Sequence, residues 1–188
     1  RYYITLILSY LSCLGGCLMN TTMVVLRLIH ILFGVLWAGG SYIMTGFISV
    51  SAKEVGDESK AFMQHFSLKG NFVNAMVVSG ILTVLAGLTM YWILFRGISF
   101  SSSTSIALTL GAIFGLLAFI NGYIGLKGNT DKMKKVVGEI RAGGGPPSPE
   151  QIARIASIQE GLAKAGATQI VLITLSLIGM TLSERFIL

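Results

Sequence analysis

Charged side chains are scarce in this chain. Asp, Glu, Lys and Arg together make up 12% of its 188 residues, about half of the ~25% that is typical of soluble globular domains. Hydrophobic residues account for 53%. So few charges could not cover the surface of a water-soluble fold of this length. The composition therefore excludes the soluble class and predicts a single membrane domain.

The scarcity of carboxylates and cysteines argues against several classes of functional site. The apolar segments contain no Asp or Glu before Glu184, whereas a proton-coupled transporter would normally place a carboxylate near the middle of the membrane. The two cysteines, Cys13 and Cys17, lack zinc-site spacing, and no histidine follows them at finger spacing. Since no nucleophile motif is present either, the sequence predicts no catalytic site.

Four apolar segments are long enough to cross a bilayer, at residues 24–50, 72–95, 105–126 and 165–182. As a helix, the first alone would extend about 40 Å, more than the ~30 Å of the hydrocarbon core. The predicted fold class is therefore all-α: a polytopic transmembrane four-helix bundle over residues 23–188, with amphipathic helices in its cytoplasmic part.

Residues 1–22 form a further apolar segment with three interpretations. Residues 2–19 are just long enough for a fifth transmembrane helix, and this is the interpretation that the sequence favours. A single arginine followed by an apolar run also resembles a signal peptide. The stretch from Leu14 to Cys17 resembles the motif that precedes a lipidated cysteine.

The basic residues predict the orientation. The connections 51–71 and 127–164 lie on one side of the membrane and together carry ten Lys and Arg residues, three in the first and seven in the second. The other side has only Arg27, Arg96 and Arg185. Because basic residues concentrate in cytoplasmic loops, both connections are predicted to be cytoplasmic. The expected location is the inner, cytoplasmic membrane of a bacterium.

Two sequence features predict structure within the long connection. Met133, Val136, Val137 and Ile140 recur at helical spacing among basic residues, which favours an amphipathic helix lying on an anionic leaflet. After three glycines and two prolines, Ser148 and Gln151 have the spacing of a capping box, with Pro149 at the first helical position. A new helix is therefore expected to begin there and to continue into the fourth span.

Small residues follow one another at helical spacing in the spans. In lipid, helices associate mainly through close packing, which small residues permit. These stripes predict tight contacts either within the bundle or with another subunit. The packing positions inferred from them are Gly34, Ala38, Gly39, Gly87, Gly111, Gly115 and Gly122.

His30 is the one residue whose position suggests chemistry, because a histidine within a span is costly and usually faces the bundle interior. It could donate a hydrogen bond to a neighbouring helix, or it could bind haem b with Met90 or Met180 as the second ligand. Arg27 and Arg185 would then pair with the haem propionates.

Two further possibilities concern metal and the second histidine. A metal or proton site of His30 and Glu184 is another interpretation. His65 is expected at the other face of the membrane, about 25 Å away by helix rise, so the two histidines are not predicted to bind one haem.

The segment from Leu28 to Gly40, with the sequence LIHILFGVLWAGG, resembles the first helix of a group of small bacterial membrane proteins. That group includes the copper-resistance D-like proteins and the J-type membrane protoporphyrinogen oxidase. The turn from Gly145 to Gln151 and the end of the chain resemble a four-helix branch of unassigned function. The resemblance implies a link between His30 and haem. No other histidine lies within the spans, so porphyrinogen oxidation is not predicted.

Three functions are compatible with these observations. The favoured hypothesis is a non-catalytic membrane subunit or scaffold that associates with other membrane subunits or with itself. The alternative is a small redox protein that binds haem b or a metal through His30. Transport of copper or of a small solute comes third. No nucleic-acid partner is expected, because the net charge of +6 is explained by basic residues that flank the spans.

Overall fold

The computed structural model describes residues 2–66, 70–95 and 103–184, and in these ranges the chain is helical without strands. The elements in chain order are α1 (Tyr2–Ile43), the π-helix π1 (Met44–Ile48), α2 (Ser49–Val55), a short 3-10 turn (Gly56–Glu58), α3 (Ser59–Gln64), α4 (Phe72–Phe95), α5 (Ser103–Ile120), the π-helix π2 (Asn121–Lys127), α6 (Gly128–Gly143) and α7 (Pro149–Glu184).

Four helical stretches are long and apolar enough to cross a membrane: Thr21–Val55, Phe72–Leu94, Ser105–Gly143 and Pro149–Ser183. Many of the large hydrophobic side chains on them are exposed at the surface of the bundle, which suits contact with lipid rather than water. The predicted fold class is confirmed: the described part of the chain is all-α, with four helices long and apolar enough to span a membrane.

The four spans form two antiparallel pairs, α1 with α4 and α5 with α7. Contacts between the pairs are fewer. The Tyr91 hydroxyl meets Thr109 Oγ1 at 3.0 Å, and the Tyr42 hydroxyl meets Thr174 Oγ1 at 2.5 Å. We call the end of the bundle that carries residues 51–66 and 128–160 the basic end, and the end near His30 and Met180 the opposite end.

Three of the four spanning stretches are longer than the membrane requires. The stretches that begin at Thr21, Ser105 and Pro149 have 35, 39 and 35 residues, or about 52 to 58 Å at the helical rise. Since the hydrocarbon core is only ~30 Å thick, these helices extend past the span ends into a helical region at the basic end.

Two expectations about helix boundaries differ from the structure. Residues 2–22 are not a separate fifth helix, because α1 runs without interruption from Tyr2 to Ile43. The amphipathic helix α6 continues directly from α5 through π2, so it projects along the bundle axis instead of turning onto the membrane surface. Its buried residues, among them Val136 and Val137, pack in the hairpin that α6 forms with α7.

The turn between α6 and α7 has the predicted chemistry. Gly144 ends α6 in the left-handed conformation, with φ 65°, which a residue without a Cβ adopts at little cost. The Ser148 N–H donates to Gln151 Oε1 at 2.9 Å, and the Gln151 N–H donates to Ser148 Oγ at 3.2 Å. This reciprocal pair is the predicted capping box, and α7 begins at Pro149 as expected.

Candidate binding cleft

A cleft of about 800 Å³ separates the two helix pairs at the basic end. Its walls come from α1, π1 and α2 on one side and from π2, α6 and α7 on the other, with the start of α4 also contributing. Most of the lining is apolar, and the volume lies within the ~300 to 1,000 Å³ typical of small-molecule sites. The cleft is therefore large enough for one ligand of moderate size.

Trp37 and Phe119 close the cleft near the middle of the bundle. Their rings meet edge to face, with centroids 6.4 Å apart and planes at 70°. Trp37 is 9% exposed and belongs to the small buried core, together with Ala118 and Ile173. From Trp37 the lining continues along the chain to Gly56, which corresponds to about 28 Å of helix. The cleft is thus elongated along the bundle axis and extends beyond the membrane boundary.

The two π-helices π1 and π2 both line this cleft. Met44 and Thr45 belong to π1, and Gly122 and Tyr123 belong to π2. A π-helix inserts an extra residue into the turn, and such segments often mark functional sites because the register costs helix stability. Their placement on opposite walls of one cleft is the strongest sign that this region has a function.

Cationic side chains occur at the basic end of the cleft, and no carboxylate from the described residues is part of its lining. Lys53 and Lys127 are lining residues. Lys127 Nζ lies 2.5 Å from Asp131 Oδ2 and 5.5 Å above the ring centre of Tyr123. Lys53 has no ion pair with a described residue. The cleft therefore combines an apolar inner end at Trp37 and Phe119 with cations nearer the basic end. We call the part of the cleft beside Lys53 and Lys127 its mouth.

A third cation lies close to the mouth. Arg141 Nη2 donates to Gln64 Oε1 at 3.0 Å, and Gln64 is itself a lining residue. Because this bond occupies the amide oxygen of Gln64, the NH₂ group of that side chain is the part left for donating to a ligand.

A polar pair is buried behind the wall that π2 contributes. Asn121 Nδ2 donates to Gln169 Oε1 and to the Ala165 carbonyl, both at 2.9 Å. Gln169 is fully buried, and its Nε2 has no hydrogen-bond partner among the described residues. A Cβ at Gly122 would lie 3.6 Å from that nitrogen, so this polar group lies just behind the lining.

His30 lies outside the cleft, near the opposite end, and contacts α4. Its Nδ1 lies 2.7 Å from the Thr83 carbonyl oxygen. Because a carbonyl only accepts, Nδ1 is the donor in this bond. The ring reaches this carbonyl because Gly87 lacks a side chain: a Cβ there would lie 2.7 Å from His30 Cε1. His30 therefore forms a hydrogen bond between α1 and α4.

The other residues predicted to bind haem or metal are distributed over both helix pairs. Met90 lies on α4, whereas the side chain of Met180 lies on α7 beside Gly115, with its Cε 3.9 Å from where a Cβ would be. Arg27 is exposed on α1. Arg185 and the side chain of Glu184 are outside the described part of the chain. His30 lines neither the cleft nor the shallower cavity between α5 and α7.

The predicted packing positions, apart from Gly39, lie close to a neighbouring helix or to the buried core. Gly87 and Gly34 lie between α1 and α4, where Thr83 Cγ2 lies 3.5 Å from a Cβ placed at Gly34. Gly111 lies against the backbone of α7: a Cβ there would meet the Met180 backbone nitrogen at 2.9 Å. The others in contact are Gly115, with Ser176 and Met180 as neighbours, Gly122, with Gln169, and Ala38, which packs on the core.

Gly39 has nothing within 4 Å of a Cβ among the described residues. The close contact of this glycine pair belongs instead to Gly40, where a Cβ would lie 2.6 Å from Met76 Sδ. Adjacent residues on a helix point about 100° apart, so only one of two neighbouring glycines can face α4. The close packing predicted for Gly39 is therefore found at Gly40 instead.

Neither the cleft nor its cations were identified from the sequence. Lys53 and Lys127 are separated by 74 positions, and each is one of several basic residues in its connection. One signal was available: Met44, Met63, Met76 and Met133 all line the cleft, and flexible methionines are common on surfaces that adapt to different apolar partners.

The comparisons with known proteins leave this chain without a demonstrated relative. No family model, no curated protein and no solved structure matches it. The resemblance of the segment from Leu28 to Gly40 to the first helix of copper-resistance D-like proteins therefore stays a prediction, and the function has to be argued from the geometry of the cleft.

Proposed function

We propose that the protein is a non-catalytic integral membrane subunit or scaffold, and that its cleft receives the apolar part of a second molecule. The observation that carries this proposal is the cleft itself: about 800 Å³ of mostly apolar space that continues past the end of the membrane spans. The part of this apolar surface that lies beyond the hydrocarbon core is unfavourable in water unless something covers it.

The polar groups between the helices support a binding role over a catalytic one. His30 is hydrogen-bonded to Thr83, Tyr42 to Thr174, and Ser176 to the Gly111 carbonyl at 2.8 Å. Such bonds hold helices together in lipid, at about 0.6 kcal/mol each on average. These polar side chains therefore serve the scaffold, and the cleft is what the scaffold presents.

The orientation and the partners belong to the same proposal. The connections 51–71 and 127–164, at the basic end, carry ten of the 14 Lys and Arg residues, so this end faces the cytoplasm by the positive-inside rule. A bacterial inner membrane is part of the same proposal, because the segment from Leu28 to Gly40 resembles the first helix of small bacterial membrane proteins. The exposed apolar faces of the four spans contact lipid, other membrane subunits or a second copy of the chain.

A neutral apolar dye tests the cleft directly. With the protein held in amphipol, N-phenyl-1-naphthylamine is expected to give saturable fluorescence. Ala163→Phe fills the cleft, because Ala163 is an exposed lining residue of α7, and we expect it to remove the saturable signal. Ala167→Phe is the matched control, since Ala167 is equally exposed on the same helix but is not part of the lining.

Equal dye binding by these two variants would contradict the proposal, because it would place the dye outside the cleft. Circular dichroism and gel filtration of both variants would establish that each remains folded.

A further inference from the structure

We infer that the occupant of the cleft is an anionic lipid of the bilayer, with an acyl chain directed towards Trp37 and the headgroup held by Lys53 and Lys127. This inference rests on the proposed function, because it requires that the cleft binds an apolar group. It adds the chemical class of the ligand and the direction in which the ligand lies.

The charge at the mouth selects the sign of the headgroup. Lys53 and Lys127 line the cleft, and Arg141 is bonded to the lining residue Gln64. No described carboxylate belongs to the lining, so an anion entering between these cations meets no like charge within the cleft. Asp131 offsets part of the charge of Lys127, which leaves Lys53 as the stronger anchor for a headgroup.

The spacing along the helices matches the dimensions of a lipid. Lys127 follows Phe119 by eight positions and Lys53 follows Trp37 by sixteen, or about 12 and 24 Å of helix. One leaflet contributes about 15 Å of hydrocarbon to the ~30 Å core. An acyl chain whose end reaches the two aromatic rings would therefore place its headgroup between the two lysines.

The polar groups at the mouth suit a phosphate-containing headgroup. A phosphate oxygen accepts hydrogen bonds and cannot donate when ionised, so it needs donors. Lys53 supplies an ammonium group, and Gln64 retains its NH₂ group for donation, since its oxygen already accepts from Arg141. Deeper in the cleft, the lining side chains Met44, Met76 and Phe119 offer contacts to the chain.

Trp37 is a natural reporter for this arrangement. The chain contains two tryptophans, and Trp92 is 66% exposed on α4, whereas Trp37 closes the cleft. Trp92→Phe leaves Trp37 as the only tryptophan. Bromine on an acyl chain quenches tryptophan fluorescence at short range, so brominated lipid in the cleft would lower the fluorescence of Trp37.

The experiment titrates this variant in amphipol with phosphatidylglycerol brominated in its acyl chains, and separately with phosphatidylcholine carrying the same chains. We expect saturable quenching of Trp37 at a lower concentration of phosphatidylglycerol than of phosphatidylcholine. Lys53→Gln should weaken the phosphatidylglycerol response roughly fivefold, the loss expected when one basic residue near an anionic headgroup is removed. Its control is Lys132→Gln, at an exposed lysine outside the lining.

The outcomes separate this inference from the proposed function. Equal quenching by both lipids, or equal effects of Lys53→Gln and Lys132→Gln, would overturn the anionic headgroup while the neutral dye still bound. Loss of dye binding and of all lipid quenching together would overturn both. Abolition of the quenching by Ala163→Phe but not by Ala167→Phe, together with the preference for phosphatidylglycerol, would support the inference.

Discussion

The two ends of the bundle use the same small residues, but the helices approach each other to different degrees. At the opposite end, a Cβ at Gly179 would lie 2.7 Å from the Gly111 Cα, so α5 and α7 are in backbone contact, and Tyr91 joins the two pairs through Thr109. At the basic end, the pairs are separated by the cleft. At the opposite end the helices of the α5–α7 pair are therefore in backbone contact, whereas at the basic end the cleft leaves space between the two pairs, beside the contact of Gly166 with Thr45.

Substitution of single glycines by alanine tests this difference directly. Each change adds one methyl group to a helix and raises its helix propensity by up to about 1 kcal/mol. The cost, by contrast, depends on what the new Cβ meets. Alanine at Gly179, Gly87 and Gly122 should therefore change from destabilising at the first position to neutral or stabilising at the last.

The largest effect is expected at Gly179. The nearest atoms to its added Cβ are backbone atoms, namely the Gly111 Cα and nitrogen at 2.7 and 2.8 Å and the Ala107 oxygen at 3.0 Å. Backbone atoms cannot rotate away, so Gly179→Ala should separate α5 from α7 and cost about 1 to 3 kcal/mol. Unfolding titrations in mixed micelles measure this change. Wild-type stability in this variant would show that the helix pair is looser than described.

A smaller effect is expected at Gly87. Here the new Cβ would meet the His30 ring, 2.7 Å from Cε1, and a side chain can turn aside. Gly87→Ala should therefore cost the hydrogen bond between His30 and the Thr83 carbonyl, about 0.6 to 1.7 kcal/mol. In a His30→Ala background the same substitution should cost nothing, and a double-mutant cycle measures this coupling.

The same His30→Ala protein distinguishes the scaffold role of His30 from the haem alternative. A reduced-minus-oxidised absorption spectrum without a b-type band in either wild type or variant agrees with a structural hydrogen bond. A band present in the wild type and lost in the variant would establish the redox hypothesis instead.

The smallest effect is expected at Gly122, in the cleft wall. A Cβ there would have its nearest neighbour, the amide of Gln169, at 3.6 Å, which is ordinary contact. Gly122→Ala should therefore leave stability unchanged or raise it by up to about 1 kcal/mol. A cost as large as that of Gly179→Ala would remove the distinction between the two ends.

Sequence patterns predicted the parts of the fold that depend on local chemistry. Hydropathy gave the four spans, and the spacing of Ser148 and Gln151 gave the beginning of α7 together with its capping bonds. Each of these features is determined by residues close together in the chain.

The features that could not be predicted depend on how helices continue and meet. Hydropathy falls after Leu126, so the pattern indicated the end of a helix, although the chain continues as π2 and α6 with polar residues facing out. The choice between Gly39 and Gly40 required the rotation of α1 about its axis. To predict the cleft, one would have needed the relative positions of π1 and π2. The change of helical register in a π-helix produces no recurring pattern in the sequence.

The uninterrupted course from α5 through π2 to α6 also has a mechanical consequence. Ser105 to Gly143 is one stretch of 39 residues, a rod about 58 Å long by helix rise, with no loop at the membrane boundary to absorb a displacement. Gly143 lies about 32 Å beyond Gly122 along it. A tilt of about 4° around Gly122 would therefore move the hairpin tip by roughly 2 Å. A molecule that binds the hairpin of α6 and α7 from the aqueous side and displaces its tip would therefore also move the wall of the cleft, by a smaller distance.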